Sequence, residues 1–138
     1  MDTLVANRLV SQLTAQHKLI CQHVAARLLR TYPELARSLR LEENHTAAER
    51  LSAVAVERLG ELVRSILLFD LPALADQELA WAHGVLPRHG VTYQHQSAMV
   101  RFYFEEVRHL PLTPEEIALT QEIEQHFQKV VSSVYRVN

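Results

Sequence analysis

With 138 residues, three Gly and five Pro, the chain has room for one domain with one core, and its wealth of Ala, Leu, Glu, Gln and Arg favours helix over sheet. Fourteen Lys and Arg against sixteen Asp and Glu give a net charge of -2, which removes any general electrostatic case for nucleic acid or an anionic membrane. A lone cysteine, Cys21, excludes an internal disulfide and suits a reducing compartment. The most apolar run, Ser65 to Phe69, is too short to span a bilayer, and Met1-Asp2-Thr3-Leu4 lacks the basic-then-apolar layout of a secretory signal. The expectation is a single all-α domain over 1–138, cytoplasmic, with neither membrane nor nucleic acid as partner.

From Thr3 to about Arg30, Leu4, Leu9, Leu13, Leu19, Ile20, Val24, Leu28 and Leu29 recur at roughly helical spacing, predicting one long helix or two with a bend near His17. Pro33 opens a short turn, and Leu41 to Asn44 reads as a loop. Thr46 with Glu49 three residues on has the form of a capping box. It starts a helix to about Leu68 that buries Leu51, Ala55, Leu59, Leu62 and Ile66 and turns Glu57, Arg58, Glu61 and Arg64 mostly to water.

Asp70 and Pro72 announce a shorter helix to His83, which Gly84 is suited to end. Val85 to Gly90, with Pro87, is a connection that cannot be helical throughout. Thr92 caps a helix carrying Met99, Val100, Phe102, Tyr103, Phe104 and Val107, apolar on more than one side. Pro111 breaks it, and Thr113-Pro114-Glu115-Glu116 starts the last helix with a cap, a proline at the first position and two acids at the positive end of the dipole.

Gly60, Gly84 and Gly90 are too sparse for a phosphate loop, and there is no His-Glu-x-x-His, Cys-x-x-Cys or nucleophile elbow. No enzyme activity is expected. His17 and Cys21, four apart, share a helix face as two metal ligands would, or as a half-exposed His beside a small buried Cys. His83, four residues after Leu79, either points into the core as an iron ligand or bonds the last carbonyls of its helix.

The order of elements resembles a globin, and most of all the sensor domain of bacterial globin-coupled sensors: a helix into Pro33-Glu34-Leu35, a corner, a long helix from Thr46, a shorter one ending Leu79-Ala-Trp-Ala-His83, then Gly90-Val91 and two closing helices. The resemblance implies a globin-like fold of six to eight helices and a b-type haem held through His83, with Leu79, Leu51, Ala55, Leu39 and Val91 around it. Gly90-Val91 stands three residues later than the family places it. Either the corner holds an insertion and His83 is the ligand, or it does not and Leu86 stands in the ligand position.

The family's distal tyrosine position falls near Ala25 or Ala26 and its corner phenylalanine on Leu39. Leu51 and Ala55 would then leave a diatomic gas (O2, CO or NO) without a hydrogen-bond donor, with His45 as a possible sixth ligand. Implied function is gas binding that signals through helix rearrangement to a downstream partner, with a homodimer formed by the last two helices, because Phe102, Tyr103 and Phe104 cannot all face one core. A haem-less sensor or scaffold module of the stressosome type is the alternative. A third reading takes Glu78 to Gly84 as the first half of a helix-turn-helix, with Arg88, Tyr93, Gln94, His95 and Arg101 in the recognition segment.

Overall fold

The computed structural model describes residues 1–38 and 46–136, and every regular element among them is helical. Helix α1 runs unbroken over Thr3–Thr31, with no bend at His17 interrupting it. Asp2 caps its start, accepting from the amides of Leu4 at 2.9 Å and Val5 at 3.2 Å. Its stripe of Val5, Leu9, Leu13, Ile20, Val24 and Leu28 is buried, whereas Leu4 and Leu19 face water. Tyr32 leaves the helical region at φ -130°, as a residue before proline is pushed to do, and Pro33–Ser38 forms a 3-10 turn.

After Thr46 the chain is one rod with a fault in it. Helix α2 (Ala47–Leu51) passes through a π turn (Ser52–Val56) into helix α3 (Glu57–Phe69), and the fault is visible in the Glu57 amide reaching back five residues to the Ser52 carbonyl. The Thr46 hydroxyl accepts from the Glu49 amide at 3.1 Å. The Glu49 carboxylate bonds that hydroxyl in return, not the Thr46 amide, so the predicted capping box is half built. Asp70 ends α3 in the left-handed region at φ 51°, a conformation that Asp tolerates better than most side chains.

Helix α4 (Ala73–Val85) outruns the expected stop at Gly84. Gly84 stays helical, and the chain tightens into a 3-10 turn, Leu86–His89, only where Pro87 has no amide to give and its ring crowds the preceding turn. The turn at φ 84° comes at Gly90. Helices α5 (Tyr93–Arg108) and α6 (Pro114–Arg136) are the last of the described elements. With α2, the π turn and α3 taken as one rod, five long helices stand among the described residues, fewer than the six to eight expected, because the two short corner segments are 3-10 turns.

Helix α1 is the spine: α3 crosses one side of it, α5 another, α6 packs beside α5, and α4 rests on α6 and α3. The crossing of α1 and α3 is close. A Cβ on Gly60 would stand 2.9 Å from His17 Cε1, nearer than side-chain carbons approach one another. Tyr103, Phe104 and Phe127 form the aromatic heart, the first two edge to face at 5.3 Å.

Phe102, Tyr103 and Phe104 are all buried within the single chain, at 2%, 1% and 1% exposure. The expectation that they cannot all face one core is therefore corrected. Three neighbours between them cover the three directions, and Phe102 is roofed by the guanidinium of Arg27, 3.8 Å from its ring centre. These residues offer no unpaired face for a second copy. No helix among the described residues is long and apolar enough to cross a membrane.

Candidate functional site

A cavity of about 280 Å³ lies between the α2–α3 rod and α4. Its floor is Leu28 of α1 and Leu35 of the first 3-10 turn, and one wall is Leu51, Val54, Ala55, Leu59 and Leu62. The opposite wall is Leu79, Ala82 and Leu86, closed by Val91, His95, Gln96 and Met99 at the α5 end. Val54 and Ala55 come from the π turn, a local break that often marks functional surfaces.

Leu51, Ala55, Leu79 and Val91, each expected around a cofactor, are thus brought to one cavity. Leu39, and His45 proposed as a sixth ligand, lie outside the described residues. His83 is half-buried in the last turn of α4 and is not part of the cavity wall. Leu86, the ligand position of the ungapped alignment, is. Ala25 is buried in the core and stays out of the cavity lining.

The one histidine in the described wall is His95, and both of its ring nitrogens are engaged. Nδ1 accepts from the Thr92 amide at 3.0 Å, which in the neutral ring puts the proton on Nε2, where it is donated to Glu34 Oε1 at 3.1 Å. The Tyr32 ring stands edge-on to the imidazole at 4.9 Å. The Glu34 carboxyl is held below its ordinary range, first by the bond to its own backbone amide and then by the one from His95. This clasp ties the start of α5 to the Pro33–Ser38 turn across the cavity's inner end. It also takes His95 out of any recognition segment, since the ring is buried against the cavity and not presented outward.

The mouth is charged. Arg58 of α3 donates to Glu78 of α4 at 2.7 Å, and its guanidinium lies 5.3 Å from the ring centre of Trp81, which is half exposed. Arg58 is expected from the sequence to turn mostly to water. It does so, and closes the rim as well.

Haem makes a definite demand on this wall: a nitrogen, sulfur or oxygen lone pair directed at the iron. Among the described lining residues the ring nitrogens of His95 are spent on Thr92 and Glu34, Glu78 is bonded to Arg58 at the rim, and Leu79, Ala82 and Leu86 offer iron no lone pair, which leaves the Met99 thioether. The described wall thus offers haem no free histidine.

His17 and Cys21 do meet, Nδ1 to Sγ at 3.7 Å, beneath the α1–α3 crossing and away from the cavity. Burial, and then Arg64, lowers the His17 pKa, while burial and then Glu57 push the Cys21 thiol up to about 12. No group of three or more His, Cys, Asp or Glu able to hold a metal is found among the described residues.

Arg58, Trp81, His95 and Gln96 are among the wall residues that sequence reading did not assign to the pocket, and Leu86 enters it there only through the alternative alignment. For His95 a signal exists in the spacing Thr92-x-x-His95, the capping-box interval with an imidazole in place of the usual Glu or Gln. Compared with known protein families, with curated proteins and with solved structures, the chain matches none.

Proposed function

We propose that this chain is a haem-less, globin-like sensor module of the cytoplasm, which takes a small apolar molecule between the α2–α3 rod and α4 and reports its presence by moving those helices against α1. What carries the reading is the cavity itself: hydrocarbon walls around about 280 Å³, with the only described wall histidine already bonded through both nitrogens. Pockets near this size, mostly apolar with a few placed polar groups, are where proteins hold small molecules. Two walls of the cavity belong to different helices joined at the rim by an exposed ion pair, so a guest that spreads them costs little there. Packed helices respond to such spreading by small shifts that a partner can read.

The test is an absorption spectrum of protein expressed with supplied haem, recorded oxidised, reduced, and reduced with carbon monoxide, beside a titration with an apolar fluorescent dye. The module reading expects no Soret band and saturable dye binding. A Soret band that moves with carbon monoxide, and that is lost in His83→Ala, would replace it with the gas-sensing reading.

A further inference from the structure

The cavity has a polar end as well as an apolar body, and the two are separated. Inside, His95 is fully engaged and Gln96 also has its own interactions, so a polar ligand group placed there would meet walls of Leu, Val and Ala. At the mouth, Arg58 is the one cation among the described lining residues. Its guanidinium carries five N–H donors, of which the bond to Glu78 uses one Nη. A planar fork of this kind suits a carboxylate, which it can hold with two parallel bonds. An ammonium head would have to take Glu78 while standing beside the guanidinium already bound to it.

Resting on the reading of the cavity as a ligand site, we propose that its ligand is a single-chain amphiphile with a carboxylate head, the chain lying among Leu51, Leu79 and Leu86 and the head on Arg58. At about 280 Å³ the cavity lies at the small end of ligand pockets, room for a short chain and not for a long one. Glu78 is then the internal competitor: the ligand's carboxylate displaces it from Arg58, and binding opens the pair that joins α3 to α4.

Trp81, the only tryptophan of the chain, stands at this mouth and serves as the reporter. The experiment titrates the full chain with decanoate, 1-decanol and decyltrimethylammonium, each below its micelle-forming concentration, following Trp81 fluorescence and calorimetric heat. Decanoate is expected to bind about tenfold tighter than decanol, through charge-assisted bonds that the alcohol cannot make. Arg58→Gln, an exposed change whose folding is checked by circular dichroism, should abolish the preference for decanoate over decanol. Glu78→Gln, which removes the competitor, should tighten decanoate by about fivefold, the scale of an exposed ion pair.

Equal binding of acid and alcohol, or a tenfold preference that survives Arg58→Gln, would overturn the carboxylate inference and leave the apolar pocket standing. Tightest binding by the ammonium compound would overturn it in favour of Glu78 and Trp81 as the head site. Binding by none of the three would remove the pocket reading along with it.

Discussion

Thr92 and His95 satisfy each other: the Thr92 amide donates to His95 Nδ1 at 3.0 Å and the His95 amide donates to Thr92 Oγ1 at 3.5 Å. The same imidazole then reaches from its other nitrogen to Glu34, so one side chain both starts α5 and fastens it to the turn after α1. His95→Gln keeps a side chain able to cap, whereas His95→Ala loses the cap and the link together. Urea unfolding is expected to show a loss of about 1–2 kcal/mol for His95→Ala and a clearly smaller one for His95→Gln. Equal losses would mean that the ring matters as filling and not as a cap.

The α1–α3 crossing predicts coupling between His17 and Gly60. Alanine at position 60 gains helix propensity, but its Cβ meets His17 Cε1 at 2.9 Å and the ring has to give way. With His17→Ala already made, that conflict is gone. A double-mutant cycle should therefore find Gly60→Ala more favourable by about 1 kcal/mol in the His17→Ala background than in the parent. Simple additivity would show that the two helices do not depend on this contact.

His17 also sets a pH dependence. Burial, and then the Arg64 guanidinium, lowers its native pKa from the ordinary 6.5, so between the lowered value and 6.5 the unfolded chain holds more protons than the native one. Stability from this source is complete above 6.5 and declines as pH falls from there toward the native pKa. Replacing His17 with Gln should flatten the decline. Glu34, a carboxyl with a lowered pKa, contributes stability that is present above its ordinary 4.5 and is lost as pH falls through its native value. A separate fall in stability is expected there, absent in Glu34→Gln.

Cys21 is buried and its thiol is pushed up to about 12, leaving almost no thiolate at neutral pH. Native protein is expected to leave an aromatic disulfide reagent unreacted, and to react at one thiol per chain once unfolded in urea. Fast labelling of the native protein would show that the α1–α3 crossing opens locally.

Periodicity carried much of the fold. The stripe on α1, the caps at Thr46, Thr92 and Thr113, and the breaks at Pro33 and Pro111 are local effects, written into neighbouring residues. Leu51, Ala55, Leu79 and Val91 are expected around a cofactor only through the resemblance, and they meet at one cavity because an apolar residue facing the core of a helix pair has few other places to go. Gly84 misled because a glycine permits a stop without imposing one, and it was Pro87 that imposed it. Arg58 and Trp81 needed the packing of α3 against α4, information that no single segment holds. The burial of Phe102 to Phe104 depended likewise on how many neighbours surround one helix.

The fault between α2 and α3 gives the cavity a phase. A π turn holds one residue more than the α turn it replaces, and each residue turns a helix by about 100°, so regular winding through Ser52–Val56 at the same length would rotate everything before it by about that angle relative to α3. Leu51 would then leave the cavity wall while Leu59 and Leu62 kept their places, whereas loss of one residue there would restore regular winding with Leu51 still in the wall. The chain's length at this point thus acts as a coordinate of the site, tuned by counting residues and not by choosing them.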